Sequence, residues 1–157
     1  MVKKVKKICI FILFLICGLC AFGQEKKAAI GLGAEWNMDA HRNFAGGAAL
    51  DFNYRFRDDY ALGFTFTGSN NFRGFVSIEP TISFRWYYLV KNYPGFFGQM
   101  DAGFFIYFED DEVTTLPELG VRGGYRLPLG SSFFVEPYAR MGYPFAFSIG
   151  VMGGLLF

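Results

Sequence analysis

A long alternation of apolar and polar residues between positions 74 and 88 most constrains the fold of this chain. Its apolar face is made of Val76, Ile78, Pro80, Ile82, Phe84, Trp86 and Tyr88, and its other face of Ser77, Glu79, Thr81, Ser83, Arg85 and Tyr87. Successive side chains of a β-strand point to opposite faces, so a period of two predicts a strand with two unlike faces. An amphipathic helix would instead repeat its apolar positions every three or four residues.

The same alternation recurs along the chain and predicts seven further strands. The eight predicted strands span residues 28–38, 44–56, 60–67, 74–88, 96–108, 116–127, 133–143 and 146–157. The segments between them carry the Gly, Pro, Asn and Asp residues that are typical of turns. The sequence therefore predicts an all-β protein. An even number of antiparallel strands can close into an up-and-down barrel that has both termini at one end.

The first 23 residues are organised like a secretory signal peptide. Four lysines precede an apolar run from Ile8 to Phe22, and the small residues Ala21 and Gly23 occupy the −3 and −1 positions of a cleavage site before Gln24. The run is short for a membrane-spanning helix, which needs about 20 apolar residues. We therefore expect residues 1–23 to be cleaved and residues 24–157 to form one domain. All three cysteines lie in the leader, so no disulfide is expected in the mature protein.

Alternation alone does not decide which face of the strands points inward. The apolar face carries most of the aromatic residues, which make up 20% of the chain, whereas the charges lie on the other face. The interior of an eight-stranded barrel is only wide enough for side chains to fill. This number of aromatic rings therefore fits better on the outside, in lipid. Trp and Tyr near the strand ends suit the membrane–water interface. The alternative is a soluble, lipocalin-like barrel with its aromatic face inward and an apolar ligand inside.

With the aromatic face outward, the charged side chains meet inside the barrel and must pair, because an unpaired buried charge costs several kcal/mol. The predicted interior charge network consists of Glu35, Asp51, Arg55, Glu79, Arg85, Asp101, Glu118, Arg122, Arg126, Glu136 and Arg140. If strands pair in sequence order, Arg122 lies between Asp101 and Glu136. On the same assumption Arg140 approaches Glu118, and Arg85 reaches Asp101 or Glu79.

Residues 28–157 resemble the small outer-membrane β-barrel proteins of Gram-negative-type bacteria, the class of OmpX and the OmpA membrane domain. The resemblance rests on the leader, the eight strands and the ending Ser148 to Phe157. In that family a terminal aromatic residue after alternating apolar residues resembles the signal read by the barrel-assembly machinery. The residues that fit this signal are Ile149, Val151, Leu155 and Phe157. The resemblance implies outer-membrane lipids as partners, together with the assembly machinery during biogenesis.

Two features depart from the usual pattern of that class. The predicted loops are short, which disfavours an adhesin whose loops carry the activity. Pro80 and Pro137 fall inside predicted strands, where proline removes a hydrogen bond of the ladder. We interpret both prolines as sites of β-bulges.

Candidate chemistry outside the predicted interior is sparse. An outer-membrane lipid hydrolase would need a histidine with a serine nucleophile nearby. His41 is the single histidine, and none of the serines forms a motif with it. The acidic run Glu109, Asp110, Asp111 and Glu112 could attract hard cations but is more typical of a solvated loop. The formal net charge of +1 excludes a basic nucleic-acid binder. We therefore expect no catalytic residues, no metal site, no cofactor and no nucleic-acid partner.

The sequence thus predicts an eight-stranded antiparallel transmembrane β-barrel in the outer membrane, with a structural or interfacial role. A narrow pore for small solutes is the first alternative, in which the interior ion pairs act as a gate. The soluble binder of an apolar ligand is the second. The ligand, the oligomeric state, the choice between pore and plug, and cation binding at the acidic loop are left open by the residues.

Overall fold

The computed structural model describes residues 27–39, 44–71, 75–90, 93–109 and 112–157. The predicted signal peptide, His41, Asp110 and Asp111 lie outside these residues. Within them, no helix is long and apolar enough to cross a membrane. The strands of the described residues are β1 (Ala28–Asp39), β2 (Phe44–Arg57), β3 (Tyr60–Asn70), β4 (Val76–Val90), β5 (Tyr93–Glu109), β6 (Glu112–Tyr125), β7 (Leu127–Leu129), β8 (Phe133–Tyr143) and β9 (Phe145–Leu156).

The strands form one closed antiparallel sheet. Strands β1 to β6 pair in sequence order, β9 pairs with β1 and β8, and β6 pairs with β8 to close the sheet. Both β6 and β7 pair with β8, so they are two parts of a single wall strand. The predicted eight-stranded antiparallel up-and-down barrel is therefore confirmed.

The two ends of the barrel differ, and we name them by what they carry. The terminal end carries the first and last residues of the barrel, which are joined to each other. The amide of Phe157 donates a hydrogen bond to the carbonyl of Ala28 at 2.8 Å, and the amide of Ala28 donates to the carbonyl of Phe157 at 3.2 Å. The loop end is where β1, β3 and β5 end, at Asp39, Asn70 and Glu109, and where β8 meets β9 at Pro144.

Several strands run further into the predicted loops than the sequence suggests. Strand β3 continues to Asn70, which pairs with Val76, although the alternation ends at Thr67. Strand β6 begins at Glu112, which pairs with Glu109 of β5. Glycine and polar residues have low strand propensity, but pairing with an already formed neighbour outweighs this weak preference. The connections at the loop end are shorter than predicted as a result.

The prediction of a bulge at Pro80 is wrong. Ile78 pairs with Ile106 and Thr81 pairs with Gly103, so the register on β5 is the same on both sides of the proline. The ladder to β5 is only interrupted, because Pro80 has no N–H to donate. An inserted residue would have moved every later side chain of β4 to the opposite face.

The prediction of a bulge at Pro137 is wrong for the same reason. Pairing with β8 reaches Val135 from β7 and resumes at Tyr138 from β6 without a change of register. The interruption that separates β6 from β7 therefore lies opposite Pro137. Arg126, at this interruption, stays attached to β5 because its amide donates to the carbonyl of Gly95 at 3.0 Å.

The outer surface of the barrel is apolar. Leu32, Ile82 and Leu119 are 67%, 68% and 65% exposed, and they belong to three different strands. Exposed Tyr and Trp residues lie towards the strand ends, as in the aromatic girdles of membrane barrels. These residues are Tyr54 and Tyr88 towards the terminal end, and Trp36 and Tyr143 towards the loop end.

The inward side chains form polar layers between two apolar clusters. The terminal-side cluster includes Ala29, Ala49, Ala61, Tyr87, Phe97, Phe134, Tyr138 and Met152. The loop-side cluster is made of Ala45, Phe105 and Phe145, with Phe75, Tyr107 and Leu116 packed against it. Between the two clusters the inward positions are charged or hydrogen-bonding side chains.

Candidate functional site: the barrel interior

Ten of the eleven residues of the predicted charge network are buried, each at most 5% exposed. They come from six strands and from the break between β6 and β7, and the alternation of each strand turns them inward. Arg55 is the exception because it is half-buried near the end of β2. Its guanidinium lies 4.3 Å from the centre of the Tyr87 ring, a cation–π contact rather than an ion pair.

Glu136 binds two arginines on the terminal side of the interior. Arg85 Nη1 lies 2.9 Å from Glu136 Oε1, and Arg126 Nε lies 2.6 Å from Glu136 Oε2. Each guanidinium also lies over a ring face, Arg85 at 4.1 Å from the centre of Phe97 and Arg126 at 4.1 Å from that of Phe134. We call Arg85, Arg126 and Glu136 the Glu136 group. Its charges are partly compensated by ring quadrupoles as well as by the carboxylate.

A chain of hydrogen bonds extends the Glu136 group towards the middle of the barrel. Arg85 Nε donates to Gln99 Oε1 at 2.6 Å, and Gln99 Nε2 donates to Asp101 Oδ1 at 2.6 Å. Arg122 Nε lies 3.7 Å from Asp101 Oδ2, and Arg85 Nη2 lies 3.7 Å from Asp51 Oδ2. On this side of the interior three carboxylates therefore face three guanidiniums.

Arg140 binds three carboxylates on the loop side of the interior. Its Nη2 lies 3.2 Å from Glu35 Oε1 and 2.9 Å from Glu79 Oε2, and its Nη1 lies 2.9 Å from Glu118 Oε1. The hydroxyl of Tyr138 donates to Glu35 Oε2 at 2.8 Å. We call Arg140, Glu35, Glu79 and Glu118 the Arg140 group. Its carboxylates outnumber its guanidinium by three to one.

The expected partners of Arg85 are wrong. Arg85 binds Glu136 and approaches Asp51, not Asp101 or Glu79. Strands β4 and β8 are not neighbours in the sheet, but the interior of an eight-stranded barrel is narrow enough for an arginine to reach the opposite wall. Pairing in strand order is therefore a poor guide to contacts across the lumen.

The expected position of Arg122 is only half right. Its ion pair with Asp101 is present, whereas the carboxylate of Glu136 is occupied by Arg85 and Arg126. The guanidinium of Arg122 instead lies 4.6 Å from the centre of the Tyr138 ring. An aromatic face thus takes the place that the sequence assigned to a second carboxylate.

Sequence reasoning places Tyr87 on the inward face but misses the inward rings of Phe97 and Phe134 and the glycines that accommodate them. A Cβ atom on Gly124 would lie 2.6 Å from Cε1 of Phe97, and one on Gly154 would lie 2.6 Å from Cε1 of Phe134. No larger residue fits at either position without displacing a ring. The available signal was a glycine on the polar face of one strand opposite an aromatic residue on the polar face of another.

The predicted assembly residues lie at the end of the chain on the outer surface. Ile149, Val151 and Leu155 are 51%, 50% and 36% exposed along β9. Phe157 is half-buried just beyond the strand and is held to Ala28 by backbone hydrogen bonds. The outward side of β9 thus ends in an apolar row.

No group of three or more His, Cys, Asp or Glu side chains in the described ranges is arranged to hold a metal ion. The acidic run of the sequence contributes Glu109 and Glu112 to the hairpin of β5 and β6, where they pair through their backbones. The two aspartates between them lie outside the described residues.

Three solved structures are similar to this barrel. They are the N-terminal β-barrel domain of OprF from Pseudomonas aeruginosa, with a TM-score of 0.57 and 12% identity, Neisserial surface protein A, with 0.58 and 13%, and Ail, the attachment invasion locus protein of Yersinia pestis, with 0.53 and 13%. Each similarity covers 85% of this chain, and it covers 100%, 95% and 99% of those chains respectively.

The fold is that of the small outer-membrane β-barrels. This confirms the fold class implied by the resemblance to OmpX and the OmpA membrane domain. At this level of identity the similarity concerns the fold alone. A scan of protein-family models and a search of curated proteins both find no match.

Proposed function

We propose that this protein is an integral outer-membrane β-barrel with a structural or interfacial role and a closed, ion-paired interior. The observation that carries the proposal is the reversal of faces. Large apolar side chains cover the outside, whereas ten charged side chains are buried inside. Lipid stabilises such an outer surface, and water does not, because contiguous exposed apolar patches on soluble monomers rarely exceed a few hundred Å².

The interior favours a plug over a pore. On the terminal side, Arg85 and Arg126 are each held between Glu136 and an aromatic ring. On the loop side, Phe105 and Phe145 pack edge to face at 5.3 Å between ring centres, above the Arg140 group. A solute would have to displace both layers and separate buried ion pairs, which costs several kcal/mol for each pair.

The charged interior also disfavours a soluble lipocalin-like binder. A barrel that holds an apolar ligand needs an apolar lining, because an apolar ligand leaves buried carboxylates and guanidiniums unsolvated. Here the middle of the lumen is lined by charge, and the apolar surface faces outward. The partners that suit this surface are outer-membrane lipids.

Membrane fractionation of the natural producer or an expressing bacterium tests the proposal. We expect retention in the outer membrane after a carbonate wash, and a folded band on gels of unheated samples that shifts on boiling. The purified barrel in planar bilayers is then expected to give no discrete conductance steps. Recovery in the soluble fraction would contradict the membrane role, whereas stable single-channel steps would favour the pore.

A further inference from the structure

The loop-side half of the interior carries an excess of negative charge. The guanidinium of Arg140 contacts the three carboxylates of Glu35, Glu79 and Glu118, and each of these residues is at most 5% exposed. The other three buried arginines lie with the carboxylates of the terminal side. Three ionised carboxylates around one guanidinium would leave two uncompensated charges in a low-dielectric interior, which is strongly unfavourable.

A second, independent observation concerns hydrogen bonding. Glu118 Oε2 is buried and accepts no hydrogen bond from any described residue, although Oε1 of the same carboxyl is bound to Arg140. The hydroxyls of Thr67 and Ser148 are 1% and 0% exposed and also have no partner among the described side chains. Thr67 is the cross-strand neighbour of Glu79, and Ser148 that of Arg140. The Arg140 group thus has one buried carboxyl oxygen, Glu118 Oε2, that lacks a donor.

One bound proton would account for both the excess negative charge and the missing hydrogen-bond donor. The carboxyl groups of Glu79 and Glu118 bind the two terminal nitrogens of one guanidinium, Arg140 Nη2 and Nη1, each at 2.9 Å, so they lie side by side. A proton between them supplies the missing donor and removes one negative charge, as it does in other pairs of neighbouring carboxylates. A metal ion is disfavoured because the three carboxylates converge on a guanidinium, and no metal-binding group is found among the described residues.

We propose that Glu79 and Glu118 bind one proton between them, and that this proton holds the loop-side half of the barrel interior together. The assignment is to a proton-binding site and goes beyond the structural role of the barrel. It makes the stability of this half depend on pH. The charges of the terminal side, which balance, do not share this dependence.

The groups that face the site come from six strands of the wall. They are Glu35 and Asn37 on β1, Thr67 and Ser69 on β3, Ser77 on β4, Phe105 on β5, Tyr138 and Arg140 on β8, and Ser148 on β9, with Asp101 and Arg122 in the next layer. The hydroxyl of Ser69 donates a long hydrogen bond to Glu79 Oε1 at 3.5 Å, and the hydroxyl of Tyr138 donates to Glu35. None of these groups donates a hydrogen bond to Glu118 Oε2 within the described part of the chain.

The site adjoins the loop-side end of the ladder between β6 and β8. The ladder between β6 and β8 ends at the pair Leu119 and Tyr143, and Glu118 lies one residue past this end. A small cavity of about 10 Å³ lies at this point, lined in part by Glu79, Glu118 and Arg140. That volume is about the minimum that holds one water molecule. The cavity therefore has room for about one water molecule beside the carboxyl pair.

The test compares the wild-type protein with Glu118→Gln in equilibrium urea unfolding from pH 6 to pH 9. A folded state that holds one more proton than the unfolded chain loses stability as the pH rises, because deprotonation favours the unfolded state. We expect the unfolding constant of the wild type to rise about tenfold per pH unit until the proton leaves the folded barrel. Glu118→Gln is expected to be flat over this range and more stable than the wild type at pH 9.

Glu136→Gln is the matched control, since it makes the same change in the balanced terminal side. We expect it to be less stable at every pH and to keep the wild-type dependence on pH. The infrared spectrum of the folded wild type at pH 6 provides a readout that does not depend on unfolding. We expect a carbonyl band of a protonated carboxylic acid that is absent in Glu118→Gln.

Three outcomes would overturn the proposal. The first is the same pH dependence in Glu118→Gln as in the wild type. The second is the absence of the carboxylic acid band at pH 6 in the folded wild type. The third is a stability that follows the concentration of sodium or potassium at fixed pH and not the pH itself, because a metal cation would then neutralise the group.

Discussion

Replacing Glu136 by glutamine should strongly destabilise the barrel. Glu136 is fully buried, and its carboxylate binds both Arg85 and Arg126. Glutamine has nearly the same shape, so the substitution removes the charge without leaving a cavity. It leaves two guanidiniums buried without their main counter-ion.

The magnitude follows from what each arginine keeps. Arg85 retains Gln99 at 2.6 Å and Asp51 at 3.7 Å, whereas Arg126 retains the ring of Phe134. Removing one partner of a buried ion pair costs about 3–5 kcal/mol. Because a single carboxylate serves two arginines and one of them keeps only an aromatic contact, we expect a loss towards the upper end of that range.

The assay is urea unfolding of the refolded barrel in detergent micelles, followed by the heat-dependent gel band and by tryptophan fluorescence. Glu112→Gln is the control, since it makes the same substitution at an exposed carboxylate of the loop end. Its midpoint should match that of the wild type, because exposed substitutions change stability by about 0.5 kcal/mol or less. Equal midpoints for the two variants would refute the ion-paired interior. If Glu136→Gln fails to refold, the double variant with Arg126→Met should refold, because it removes one of the two guanidiniums left without a counter-ion.

Two further predictions address the wall and its assembly. Gly124→Ala should cost about 1–3 kcal/mol because the new methyl group collides with the inward ring of Phe97, whereas Gly123→Ala meets nothing within 4 Å and should be neutral or slightly stabilising in the same unfolding assay. Phe157→Ala should reduce the amount of barrel recovered from outer membranes of producing cells while leaving refolding in micelles unchanged; an equal defect in both would show that this residue stabilises the barrel and is not an assembly signal.

The number and order of the strands could be predicted because one physical rule governs each of them. A strand between lipid and a polar lumen must alternate, and the alternation in residues 76–88 holds even across Pro80. The strand ends could not be predicted in the same way. Asn70 and Glu112 have weak strand preferences, and they extend β3 and β6 only because the facing strand offers a ladder partner.

Ion-pair partners were harder to predict than the membership of the interior. Each charged residue occupies an inward position of its strand, which the period of two determines. Its partner depends on its height in the lumen and on the reach of its side chain. Arg85 and Glu136 are 2.9 Å apart although they lie on strands that are not adjacent. Neighbour-by-neighbour reasoning finds Arg122 and Asp101, which lie on paired strands, but not contacts across the lumen.

The inward aromatic residues explain how arginines can be buried at the terminal end. Phe97 and Phe134 occupy positions that the alternation assigns to the polar face, and each covers a guanidinium at 4.1 Å. A ring face attracts a cation and at the same time excludes water. A purely polar layer would attract the arginines equally well but would leave the end of the lumen hydrated. Rings at these positions therefore hold the charge and close the barrel together, which is why two violations of the apolar–polar pattern favour a plugged barrel over a pore.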